Sequence, residues 1–213
     1  MENRAFNINL EKNPRISIKV IPGHFTASST HTNYYLDLSE LKSNAAIARD
    51  AASELALPYL SNTLVDTIVC IERTEVIGAY LAQELLQSGA RVMNDGGEIS
   101  VVTPIFNDIG TLSFKSSMVK HIVNKSVVLL STWVLSGRTL DKVQDCLSYY
   151  GANIAGISTL FWVPYKTPEQ SINALFTSND IENFRVYSPK DCEVCKAGQR
   201  LDALISSEGY TKI

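Results

Sequence analysis

The sequence predicts an α/β domain: a parallel sheet flanked by helices on both faces, with a small N-terminal hood and a polar C-terminal tail. Two observations carry this. The segments "DTIVCI" (66–71), "EISVVTP" (98–104), "SVVLLS" (126–131) and "NIAGISTLFWV" (153–163) are apolar strand-like runs, as expected of strands buried on both faces. Helical segments alternate with them, which is the pattern of a parallel sheet with crossover helices. A chain of 213 residues, 45% hydrophobic and 19% charged, is long enough to bury one sizeable core.

The elements follow in order. "RISIKVI" (15–21) alternates like a strand, and 24–27 and 33–38 read as two short strands around a polar turn. Residues 39–57 read as a helix, with Ser39 as N-cap and Pro58 ending it. After the strand at 66–71, "EVIGAYLAQELLQSG" (75–89) is a helix stopped by Gly89. The strand at 98–104 leads into an irregular excursion over 105–124. The strand at 126–131 is followed by a helix over 138–151, stopped by Gly151, and then by the strand at 153–163. "NFRVYS" (183–188) reads as the last strand. This divides one compact domain into a hood (1–38), a core (39–188) and a tail (189–213).

Composition excludes several classes. A net charge of -3 supplies no basic field, so nucleic acid is not an expected partner. No apolar run approaches the ~20 residues that span a bilayer, and the polar N-terminus lacks the apolar centre of a signal peptide. No membrane partner is expected, and a cytoplasmic location is. Four cysteines in a chain of this length do not make a disulfide scaffold.

In open α/β sheets ligands bind beyond the carboxyl ends of strands. The stretch "VVLLSTWVLSGRTL" (127–140) sits at such a place, with a strand entering a short polar loop and a helix leaving it. Backbone N–H groups of Leu135, Ser136, Gly137, Arg138 and Thr139 would face an anion there. Gly137 permits close approach, the Ser136 and Thr139 hydroxyls add donors, and Arg138 adds charge. A plain strand-to-helix turn capped by Ser136 or Thr139 accounts for the same residues.

The segment "NKSVVLLSTWVLSGRTLDKVQDCLSYYGANIAGISTLF" resembles the signature of the type I phosphoribosyltransferases: a hydrophobic strand, two acidic residues, a Thr/Ser-Gly-x-Thr loop, a helix and a Gly-Ala turn. "GHFTASSTHTNYYLDLSELKSN" (23–44) resembles the N-terminal segment of the orotate branch, and 66–85 falls where that family carries its pyrophosphate-binding loop. The resemblance covers roughly residues 20–188. It implies a phosphorylated ribose ligand, either phosphoribosyl pyrophosphate or a nucleoside monophosphate, with Mg²⁺ as cofactor. It also implies transfer to a pyrimidine-type base such as orotate, or else a binding or regulatory protein of the same fold without catalysis. Ser131 and Thr132 take the positions of the ribose-facing acidic pair, and Glu72, Arg73 and Thr74 those of the pyrophosphate loop. The branch's basic mobile loop has no counterpart beyond Lys115, Lys120 and His121, and Ser28 replaces its N-terminal lysine. Orotate-like relatives pair, and Ile105, Phe106, Ile109, Leu112 and Phe114 ask for a cover, so a homodimer is expected.

Other residues admit two readings. "CEVC" places Cys192 and Cys195 at the spacing of half a zinc site, to be completed across a dimer, or as two free thiols in a polar tail, the simpler reading. His24, His31 and His121 show no metal-ligand spacing, and His31 is expected at the surface. Glu72 and Glu75 flank Arg73, either positioning a cation or lining a solvated loop. Trp133 either stacks on a ligand or seals the core beneath the loop.

Overall fold

The computed structural model describes residues 2–27, 30–87, 94, 97–106, 111–164, 171–206 and 209–213. The chain opens with three strands, β1 (Phe6–Leu10), β2 (Asn13–Ala27) and β3 (Thr30–Asp37), followed by helices α1 (Ser39–Ser43) and α2 (Ala45–Ala56). Next come β4 (Thr67–Cys70), α3 (Glu75–Gln87), β5 (Ser100–Val102), β6 (Ile105–Phe106) and β7 (Leu112–Ser113). Then follow β8 (Ser126–Val134), α4 (Arg138–Tyr149), β9 (Asn153–Trp162), β10 (Ile172–Thr177) and β11 (Val186–Tyr187). The tail contains α5 (Glu193–Lys196), β12 (Ala203–Ser206) and β13 (Gly209–Lys212).

The core sheet has the order β10-β9-β8-β4-β5, and every pairing in it is parallel. Its central strands bury both faces, as their unbroken apolar runs require. Ile68, Cys70, Val128 and Leu130 point into a cluster with Ala52 and Leu55 of α2 and Ile77 and Leu81 of α3. The alternate residues Val69, Ile71, Val127 and Leu129 point the other way, into a cluster with Leu140, Val143 and Leu147 of α4. Leu112, Phe114 and Ile122 join that second cluster, so much of the excursion over 105–124 covers the sheet from within the chain. Ile105 and Phe106 stay exposed, at 41% and 48%.

A second sheet forms the hood, with the order β11-β3-β2-β12-β13 and β1 paired to β2. Here the structure corrects several sequence expectations. The strands expected at 15–21 and 24–27 are one strand, β2, whose register with β3 shifts between Pro22 and Phe25. The segment expected to be the last strand, 183–188, supplies β11, which pairs with β3 of the hood and not with the core sheet. The last core strand is β10, parallel to β9. The tail is not merely polar chain: β12 lies parallel to β2, Ala203 facing Phe25, and β13 returns antiparallel.

The helix expected over 39–57 is interrupted at Asn44, whose backbone is extended. Its side-chain oxygen accepts from the N–H groups of Ala46 and Ile47, so Asn44 caps α2 in the manner expected of Ser39. Ser39 lies inside α1, whose N-cap is Leu38 without a side-chain bond. Pro58 stands in a single 3₁₀ turn, Leu57–Tyr59, beyond α2. The strand read as 126–131 continues to Val134, because Trp133 and Val134 still pair with Phe161 and Trp162.

His31, expected at the surface, is buried at 8% exposure, and His24 is fully buried. The "CEVC" pair meets these two histidines of its own chain. Gly89, Ser28 and Ile109 lie outside the described residues. No helix among the described residues is long and apolar enough to cross a membrane.

Candidate functional site

A cavity of about 550 Å³ opens at the carboxyl ends of β4 and β8. Its floor comes from the core sheet: Ile71 and Glu72 after β4, Ser131, Trp133 and Val134 of β8. One wall is the loop Leu135–Ser136–Gly137 and the start of α4, with Arg138, Thr139 and Lys142. The opposite side is hood, with Ala27, Thr30, Ile205 and Ser206.

Gly137 is the corner between strand and helix. It adopts φ 76°, the left-handed region that costs other residues a steric penalty, and nothing lies within 4 Å of the position its Cβ would take. Having no side chain, it provides no side-chain cap to α4. The first turn of a 12-residue helix therefore meets the cavity with amide dipoles aimed outwards. Arg138 and Thr139 are exposed and Ser136 half-buried, so the loop residues predicted to hold an anion stand together on one wall. Lys142, one helical turn beyond Arg138, adds a second cation; sequence reading passed over it, although its i+4 spacing from Arg138 would have placed it on the same face.

Ser131 and Thr132 differ in placement. Ser131 lines the cavity, is 1% exposed, and its Oγ has no hydrogen-bond partner among the described residues. Thr132 turns its hydroxyl to the Glu72 carbonyl, donating at 2.8 Å. The Glu72 carboxylate in turn accepts from the backbone N–H groups of Thr132 and Trp133, at 3.2 and 3.3 Å. A carboxylate from the neighbouring strand end thus reaches the place where β8 itself carries only hydroxyls. Burial pushes the Glu72 carboxyl up to about 7, against the opposing pull of the two backbone N–H donors and of Lys42.

The rest of the predicted pyrophosphate loop behaves differently. Glu72 and Arg73 both have positive φ, 58° and 65°, a conformation uncommon for side chains other than glycine. Arg73 is exposed. Thr74 is fully buried, its hydroxyl placed between the carbonyls of Ile71 and Leu130 at 3.0 and 3.1 Å, where it fastens the loop to the sheet. Glu75 accepts a bond from Thr103. Trp133 packs on the main hydrophobic cluster while part of it lines the cavity, so it seals the core and also forms the site's floor. His121 faces away from the cavity, bonding Ser100 through Nδ1 at 2.8 Å. The hood's share in the site gave no signal in the sequence, because Ile205 and Ser206 arrive through the pairing of β12 with β2.

No family sequence model matches this chain, and no curated protein sequence does. Solved structures do. The fold is similar to that of UMP synthase from Leishmania donovani, with a TM-score of 0.56 and 19% identity over 75% of this chain and 34% of that one. The chain therefore spans about a third of the length of UMP synthase. It is similar to adenine phosphoribosyltransferase from Rhodothermus marinus, with a TM-score of 0.50 and 11% identity over 83% of this chain and 96% of that one. It is likewise similar to orotate phosphoribosyltransferase from Mycobacterium tuberculosis, with a TM-score of 0.50 and 12% identity over 76% and 91% of the two chains. The chain has the fold of the type I phosphoribosyltransferases.

Proposed function

We propose that this protein binds a 5-phosphorylated ribose, as phosphoribosyl pyrophosphate or a nucleoside monophosphate, and transfers the phosphoribosyl group to a pyrimidine-type base such as orotate. The observation that carries the reading is the corner at Gly137. A parallel strand, a left-handed glycine and a helix N-terminus converge on one cavity with Ser136, Thr139, Arg138 and Lys142 around it. That is a site for a phosphate dianion, held by amides and hydroxyls and neutralised by two cations.

The remaining groups fit the sugar. The orphaned Ser131 hydroxyl offers a hydrogen bond to a ribose hydroxyl. Glu72 offers negative charge to the ribose ring as the bond to pyrophosphate breaks. In the transfer, a base nitrogen that has lost its proton bonds to the anomeric carbon, and the pyrophosphate departs with the electron pair of the broken C–O bond. The donor set also fits Mg²⁺, which is commonly held by one or two carboxylates together with substrate phosphates; Glu72 would be the protein ligand. When bound, the ion neutralises the pyrophosphate.

A second reading, ligand binding without turnover, is favoured by the same pair of positions. Ser131 and Thr132 carry no charge, and Glu72, raised to about 7, is only partly ionised near neutrality. Losing one preorganised electrostatic partner costs roughly 3 kcal/mol of transition-state stabilisation, about a hundredfold in rate. Calorimetric titration with phosphoribosyl pyrophosphate, with and without Mg²⁺, followed by an orotate-consumption assay, separates the readings. Turnover of roughly 1 per second or faster establishes transfer. Binding without product establishes the second reading, and no binding removes both. The reading includes a homodimer in which a second copy covers Ile105 and Phe106, exposed on the β6–β7 hairpin beside the cavity; a monomer by light scattering at micromolar concentration removes that part.

A further inference from the structure

The hood holds a second cluster, which the phosphate site does not use. His24 of β2, His31 of β3, Cys192 at the N-cap of α5 and Cys195 within α5 bring four ligand atoms within 4.8 Å of one another. We propose that these four side chains bind one zinc ion per chain, a structural Cys₂His₂ site that clamps the C-terminal tail to the hood.

The geometry carries the proposal. A tetrahedral zinc ion with Zn–N about 2.05 Å and Zn–S about 2.3 Å requires N···N of about 3.3 Å, N···S of about 3.5 Å and S···S of about 3.8 Å. His24 Nε2 and His31 Nδ1 are 3.3 Å apart. Cys192 Sγ is 3.4 Å from His24 Nε2, and Cys195 Sγ is 3.6 Å from His24 Nε2 and 3.3 Å from His31 Nδ1. These are four of the six edges of one small tetrahedron, and all four atoms lie within 4.8 Å of one another. The two rings meet edge to face at 70° and are not stacked.

The surroundings prepare the ligands. His24 Nδ1 lies 3.0 Å from the Gln199 carbonyl and 3.3 Å from that of Arg200. A carbonyl cannot donate, so Nδ1 carries the proton and Nε2 presents its lone pair to the cluster, the usual arrangement behind a metal-bound imidazole. The Cys195 backbone N–H points at Cys192 Sγ at 3.5 Å, a donor to a thiolate within the Cys-x-x-Cys turn. Two thiolates and a divalent cation sum to zero charge, which suits a site where His24 and Cys192 are fully buried. Mixed nitrogen and sulfur ligands in tetrahedral array select zinc over magnesium or calcium, which take oxygen.

The site also explains the order of the tail. Cys192 and Cys195 lie about 170 residues from the histidines, and beyond them the chain returns to pair Ala203 with Phe25. Asp202 reinforces that return. Its backbone N–H donates to the His24 carbonyl, and its side chain accepts from the His24 N–H. A zinc ion joining β2, β3 and α5 therefore fixes the strand that carries Ile205 and Ser206 to the cavity.

The test uses the full chain as purified under reducing conditions. Elemental analysis should give one zinc ion per chain. Cobalt exchanged into the site should show the visible absorption of tetrahedral Co²⁺ with a thiolate-to-metal band. Cys195→Ser should abolish that band or shift it, while Cys146→Ser leaves it unchanged. Stripping with chelator should expose the tail to trypsin at Lys196 and Arg200, and restored zinc should protect it. A disulfide between Cys192 and Cys195, seen as the loss of two hydrogens by mass, together with no cobalt spectrum after reduction, would overturn the proposal. So would metal-free protein that takes up no cobalt or zinc. If Cys195→Ser fails to fold, the stoichiometric cobalt titration of the native chain decides alone. These readouts are independent of any phosphoribosyl ligand.

Discussion

Replacing Gly137 by alanine separates backbone strain from ligand contact. The residue has φ 76°, and no atom lies within 4 Å of the added methyl group. The folded state therefore suffers no clash; its cost is the left-handed backbone alone, roughly 1–2 kcal/mol. For a chain of this size each kcal/mol lowers the melting temperature by about 2–4 °C, so a fall of about 2–8 °C is expected. The open space beside Gly137 is the cavity itself, and a methyl there holds a phosphate away from the loop amides. Loss of one charge-assisted bond, roughly 1.5–3 kcal/mol, weakens binding of phosphoribosyl pyrophosphate about ten- to a hundredfold. Gly198→Ala is a matched control, because Gly198 has the same φ of 76°, equally open surroundings, and no place in the cavity wall. Calorimetric titration and thermal unfolding of both variants form the assay. If both lose the same thermal stability and both keep native affinity, Gly137 is a turn residue and no phosphate sits against it.

Three further outcomes are expected. Gly156→Ala places a methyl 2.4 Å from Cε1 of the buried Tyr59, whose hydroxyl is anchored to Ser158 at 2.8 Å; it should cost roughly 1–3 kcal/mol in urea unfolding, and an unchanged midpoint would show that the ring moves aside. Asn44→Ala removes the oxygen that two amides of α2 donate to, and should cost about 1 kcal/mol by the same measurement; no loss would mean that water caps the helix equally well. Burial raises Glu72 to about 7, so between its ordinary 4.5 and about 7 the folded chain holds a proton that the unfolded chain has released. Its contribution to stability therefore falls as pH rises through that window. Glu72→Gln should gain stability relative to the native protein as pH rises through the window, and parallel pH profiles would show that the carboxyl titrates normally.

Periodicity and residue type alone determined the central strands of the core sheet. Continuous apolar runs at 66–71 and 126–131 meant strands covered on both faces, and the two opposed clusters around Val69 and Cys70 are the physical result. Turn chemistry was local as well, so Gly137 was legible as the close-approach residue of a strand-to-helix corner, while its left-handed φ came from the structure. The hood was not, because its pairings join distant stretches. β11 reaches β3 and β12 reaches β2 across more than 150 residues, and no local pattern encodes which edge a two- or four-residue strand will take. Distance in sequence, here 60 residues, also hid where the Glu72 carboxylate lies, because the loop after β4 folds it onto the end of β8. It also hid the cluster of His24, His31, Cys192 and Cys195. The Cys192–Cys195 pair had the spacing of half a zinc site, but the histidines looked ordinary, and only the closing of the second sheet sets four ligand atoms around one point.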